Sequence, residues 1–94
     1  MDLFSREAEL RKQFEHNRIQ FLLTEVDVST TFCDVANSSD DPEKTKRNVA
    51  NAREGHDTLL RFLGGAHFDA ESKNEFDTKF AHLKSLLRAL GEEV

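Results

Sequence analysis

His56 falls in the middle of an otherwise apolar row. Thr45, Val49, Ala52, His56, Leu59 or Leu60, and Leu63 recur at steps of three and four, the pattern of one helix face. Gly55 adjoins the histidine, and Asn48, Ala52 and Gly55 make a flank of small residues. An imidazole in that position has two uses. It can be a core group hydrogen-bonded to a hydroxyl or carboxylate of a facing helix, with Thr24, Thr31 and Asp77 as candidates, because buried polar groups need partners. It can instead line a small ligand pocket at Gly55 and His56 and respond to pH, since imidazole titrates near neutrality.

The other reactive side chains are scattered. A helical metal site needs two ligands on one face, three or four residues apart. Around His16 those positions hold Lys12, Gln13, Ile19 and Gln20, and around His82 they hold Thr78, Lys79, Ser85 and Leu86. None is a carboxylate, so no metal or other cofactor is expected within one chain. His67 stands apart from both. Cys33 reads as a small buried hydrophobe, and its neighbour Asp34 disfavours a thiolate. Lys44, Lys46 and Arg47 cluster near the start of a helix, the unfavourable end for cations, but Asp34, Asp40, Asp41 and Glu43 lie beside them. With no aromatic residues interleaved and an acidic chain overall, nucleic-acid binding is not expected. No nucleophile–base pair, glycine-rich phosphate loop or catalytic carboxylate pair stands out, so the chain reads as a non-enzyme.

Two short likenesses exist. Phe80-Ala81-His82-Leu83-Lys84-Ser85 resembles the helix of histidine phosphotransfer domains, which implies an exposed phosphoryl-accepting histidine on a helical bundle. That family carries a lysine three and a glycine four residues beyond the histidine, where this chain has Ser85 and Leu86. The row Ala50, Ala52, Leu59 and Leu63 is similar to helices of tetratricopeptide-type repeats, where small residues let helices approach closely, but no repeat follows.

The elements that must position these residues are helices. Glu, Lys, Arg, Leu and Ala are plentiful, proline occurs once and glycine four times. The breakers Asn37-Ser38-Ser39-Asp40-Asp41-Pro42 and Gly64-Gly65 divide the chain into helices at about 3–36, 43–63 and 69–90. Asp41-Pro42-Glu43 supplies a capping acid, a proline at the first helical position and an acid in the first turn. Gly64 fits a left-handed cap, Asp69 with Glu71 a helix start, and Gly91 a stop. Acid-before-base pairs at a spacing of four (Glu7 with Arg11, Glu43 with Arg47, Asp57 with Arg61, Glu75 with Lys79) each add about 0.2–0.5 kcal/mol. In the third helix Phe76, Phe80, Leu83, Leu87 and Leu90 form a clean stripe. The result is an all-α, up-down-up three-helix bundle with a long first helix, one domain over residues 1–94.

The first helix carries two apolar rows. Leu3, Leu10, Phe14, Phe21, Val28 and Val35 form one; Phe4, Ala8, Ile19, Leu22, Val26 and Cys33 form the other. Two rows imply two partners, either both later helices or one of them and a neighbouring subunit. A helix of that length spans roughly 50 Å, whereas the later ones span roughly 32 Å. A second helix running back antiparallel would reach only to Phe14 or Glu15, leaving Leu3, Phe4, Leu10 and Phe14 with incomplete cover, as at a partner-binding surface. Val26-Asp27-Val28-Ser29-Thr30-Thr31, rich in β-branched and capping residues, is the point where this helix would bend or break.

The 94 residues are 37% hydrophobic and 33% charged, with a net charge of −5. No run approaches the roughly 18 apolar residues of a membrane span. Met1-Asp2 opens without a basic region, no signal-like apolar run follows, and one cysteine permits no intramolecular disulfide, which together suggest a cytoplasmic protein. The expected function is a helical interaction module, a homodimer or the binder of another helical protein, joined through the first helix. The alternatives are a ligand-binding or sensor domain at Gly55 and His56, and a phosphotransfer domain at His82.

Overall fold

The computed structural model describes residues 3–94 and contains three helices, α1 (Leu3–Ser38), α2 (Pro42–Leu63) and α3 (Ala70–Ala89). They form an up-down-up three-helix bundle in which α1 packs against both companions while α2 and α3 touch each other sparingly. The molecule is a rod with extents of 59 × 22 × 18 Å. Its long axis is set by α1, whose 36 residues rise roughly 54 Å.

Local chemistry explains the ends of the elements. The Asp41 carboxylate accepts from the Glu43 amide at 3.0 Å, and Pro42 occupies the first turn, where its missing N–H costs nothing. The Asp69 carboxylate accepts from the Ser72 amide at 2.8 Å. At the far end of α3, Gly91 adopts φ +95°, a left-handed conformation that side chains rarely tolerate. The Glu92 amide then reaches the Leu87 carbonyl at 2.9 Å and the Gly91 amide the Arg88 carbonyl at 3.0 Å, which closes a Schellman motif. Gly64 does not play the left-handed role expected of it: its backbone stays right-handed. Asn37 and Ser38, assigned to the turn by composition, extend α1 by two residues.

The expected bend at Val26–Thr31 does not occur either. Thr31 turns its hydroxyl back to the Asp27 carbonyl at 3.0 Å, so its capping capacity is satisfied within the helix. Val26 and Ser29 are buried there by α2 and α3, and tertiary packing outweighs weak propensity.

The core is drawn from a single face of α1. Ile19, Leu22, Leu23, Val26, Cys33 and Ala36 are buried there, against Ala52 and Leu59 of α2 and Phe76, Phe80, Leu83 and Leu87 of α3. Of the two candidates in the second helix, Leu59 faces inward and Leu60 stays half exposed. Phe76 stacks between Phe68 and Phe80, with ring centroids 5.3 and 5.4 Å away. Ion pairs are peripheral. Glu7–Arg11 and Glu75–Lys79 form as the spacing suggests, but Asp57 turns to Arg53 instead of Arg61.

Truncation at the two ends of the burial scale should behave differently. Phe76→Ala should lower the unfolding free energy by about 3–5 kcal/mol in a urea titration of dilute protein. Phe14→Ala should change it by less than about 0.5 kcal/mol. The Asp69 cap gives a second test. Its hydrogen bond from the Ser72 amide holds the carboxyl below the ordinary aspartate range. A folded-state pKa below the unfolded one contributes stability above the unfolded value, and that contribution is lost as pH falls through the folded value. Asp69→Ala should therefore melt lower than the parent chain at neutral pH, with the gap closing in thermal melts at about pH 2.

Candidate functional site

His56 is buried, with 4% of its surface accessible. Its ring stacks on Phe80 at a centroid distance of 5.4 Å and an interplanar angle of 14°. Nδ1 lies 2.9 Å from the Asp57 carboxylate. Its polar partner is thus the next residue of its own helix, not Thr24, Thr31 or Asp77 across the bundle. That hydrogen bond is the main reason the Asp57 carboxyl sits below its ordinary range, with Arg53 assisting and partial burial opposing. The imidazole serves as an aromatic core member with one polar edge turned to the surface.

No cavity opens beside Gly55 and His56 among the described residues. The expected pocket is absent because Ser29 of α1 occupies the space. A Cβ added at Gly55 would lie 1.8 Å from the Ser29 hydroxyl oxygen and 3.0 Å from its Cβ. Gly55 therefore allows close helix–helix approach, with α1 rather than a ligand as the group approaching. The Ser29 hydroxyl is buried there without a hydrogen-bond partner.

The remaining reactive residues stay dispersed. Cys33 is buried, and burial first and Asp34 second push its thiol pKa up, which keeps it protonated and inert. No group of three potential metal ligands assembles among the described residues. His82 is exposed on α3, Ser85 beside it is exposed, and Leu86 packs against the core. Lys44, Lys46 and Arg47 are exposed at the start of α2. No helix is long and apolar enough to cross a membrane among the described residues.

What the fold does bring together is an apolar surface. Every residue from Leu3 to Phe14 is exposed. Leu3 and Phe4 leave 82% and 83% of their surface accessible, Phe14 68% and Leu10 44%. The overhang begins where the α2–α3 loop is fastened to α1. The Arg18 guanidinium donates to the Gly65 carbonyl at 2.6 Å, and the His67 amide donates to the Glu15 carboxylate at 2.6 Å. Beyond that clamp the described residues of α2 and α3 leave α1 exposed. Past the clamp toward the C-terminus, Phe21 and Val28 continue the exposed row, and Phe62 of α2 meets Phe21 edge-on at 6.1 Å while itself half exposed. The row Leu3, Leu10, Phe14, Phe21 and Val28 thus remains on the surface, while the other row enters the core from Ile19 onward.

Sequence patterning isolated Leu3, Phe4, Leu10 and Phe14 but missed Phe62, which lies off the buried row of α2. It also missed the two clamp residues, because a side chain reaching a backbone group some fifty residues away leaves no local pattern. Compared with family models, curated proteins and solved structures, the chain matches none.

The contact between Gly55 and Ser29 is directly testable. Gly55→Ala gains helix propensity worth about 1 kcal/mol, yet overpacking costs about 1–3 kcal/mol. Denaturant unfolding should show a net loss. Ser29→Ala in the same chain should recover part of it, since the residual Cβ contact is still tight. Ser29→Ala alone should be neutral or stabilising, because it removes a buried hydroxyl without a partner.

Proposed function

We propose that this chain is a non-enzymatic self-association module, a homodimer held through α1. The supporting observation is a contiguous apolar row, Leu3, Leu10, Phe14, Phe21 and Val28, on an exposed face of α1 bordering α2, whose Phe62 meets Phe21, with Phe4 exposed at the uncovered end of the other row. Isolated exposed apolar side chains are ordinary, but a row of large ones along one helix marks a contact surface. Residues Leu3 to Phe14 lie outside the core, and a 94-residue bundle gains stability by burying more apolar surface. A second copy presents the same row, so the surface is self-complementary in the way a two-fold dimer requires. A single buried thiol suits the reducing cytoplasm.

Light scattering coupled to size-exclusion chromatography tests this reading. At high micromolar concentration the expected mass is twice the 10.8 kDa of the chain, falling toward the monomer on dilution. Phe4→Asp and Leu10→Asp should shift the equilibrium to the monomer while leaving the helical circular dichroism intact. A strict monomer at high concentration, unaffected by either substitution, would remove the case.

A further inference from the structure

The orientation of the two copies can be read from what flanks the exposed row. Buried residues of α1 recur at Ile19, Leu22, Val26, Ser29, Cys33 and Ala36. The exposed face next to them carries a heptad seam, with Phe21 of the seam touching Phe62 of α2. Phe14, Phe21, Val28 and Val35 occupy one seam position, with Glu7 in the same series. Leu3, Leu10, Asn17, Thr24 and Thr31 occupy the other. Charged side chains border the seam asymmetrically. Arg6, Arg11 and Arg18 flank its N-terminal half, and Glu25, Asp27 and Asp34 flank its C-terminal half.

Resting on the self-association reading above, we infer that the two α1 helices pair antiparallel along their whole length, so that the basic half of each seam lies on the acidic half of the other. A consistent register follows from the heptad positions. Leu3 lies against the partner's Val35, Leu10 against the partner's Val28, Phe14 against the partner's Thr24, and Asn17 against the partner's Phe21. In that register Arg6 faces the partner's Asp34, whereas Arg11, paired with its own Glu7 at 2.6 Å, stands near the partner's Glu25, whose carboxylate lies toward Gly55 of its own α2. Phe4, the most exposed of the large hydrophobic side chains, falls beside the partner's Phe32, which packs partly against its own core. Asp27 already bonds Lys79 at 3.0 Å, and faces the partner's neutral Gln13. At the centre Arg18 meets the partner's Arg18, but the hydrogen bond to the Gly65 carbonyl ties each guanidinium to its own loop.

A parallel pair is disfavoured on the same residues. It would set Glu7 against the partner's Glu7 inside the seam and Arg6 against the partner's Arg11 at its edge, and like charges so placed repel. The antiparallel pair puts Glu7 opposite the partner's Thr31 instead. A strip about 50 Å long and one helix wide buries on the order of 1,000–1,200 Å² in total, at the foot of the range for stable complexes, so the dimer should dissociate on dilution.

Disulfide trapping separates the orientation from the association itself. Leu10→Cys and Val28→Cys are made in separate chains, each also carrying Cys33→Ala, then mixed, refolded together and oxidised. The expected product is the disulfide between the two different chains. Leu10→Cys alone should crosslink poorly, since its two copies would stand about 27 Å apart. Efficient crosslinking of Leu10→Cys with itself, or a dimer that traps neither disulfide, would overturn the antiparallel register while leaving self-association standing. A parent chain that is monomeric by light scattering at high micromolar concentration would overturn both. Charge exchange gives an independent readout without cysteines. Arg6→Asp should raise the dimer dissociation constant several-fold, and adding Asp34→Arg should restore it. No restoration would count against the register.

Discussion

Everything distinctive in this molecule follows from a mismatch of lengths. α1 runs for 36 residues, and α2 and α3 for 22 and 20. Because a helix rises a constant distance per residue, two short helices folded back along a long one can cover only part of it. The clamp made by Arg18 and Glu15 fixes where cover ends. The described residues on its N-terminal side, Leu3 to Phe14, are helical and exposed, without cover from α2 or α3. That segment still carries the Glu7–Arg11 pair at 2.6 Å, and such pairs support a helix only weakly. Large apolar side chains, Leu3, Phe4, Leu10 and Phe14, stand exposed on that segment.

The second constraint is that α1 meets both companions with one face. If the two rows of apolar residues had been divided between α2 and α3, the helix would have been enclosed. Instead α2 and α3 share the row from Ile19 to Cys33 and its neighbours, and the row from Leu3 to Val28 stays outside. Gly55 is part of the reason. By lacking a side chain at the point of crossing, it lets Ser29 lie against the α2 backbone, so that α2 sits close to the buried face. The glycine thus does architectural work at the position where a pocket would otherwise be sought.

His56 shows how a chemically capable residue can be absorbed by structure. The ring stacks on Phe80 and its Nδ1 bonds to Asp57, and no cavity opens beside it among the described residues. The same holds for Cys33, which is enclosed and held in its protonated form. Chemistry at these positions is closed off by packing, and the surface that remains open is apolar.

Helix number, order and approximate bounds were legible in the sequence, because capping residues, breakers and the periodicity of apolar side chains are local signals. Asp41-Pro42, Asp69 and the stripe Phe76, Phe80, Leu83 and Leu87 each carried their meaning without reference to the rest of the chain. The uncovered end of α1 was legible too, since it follows from counting residues. Three things were decided only in three dimensions. Which of two adjacent rows is buried depends on the angle at which α2 and α3 approach. Whether Gly55 opens a pocket or admits a neighbour depends on what lies opposite, here Ser29. Whether Val26–Thr31 breaks the helix depends on burial that outweighs propensity. Each is a long-range contact, and spacing along a chain records a side chain's face without naming what that face will meet.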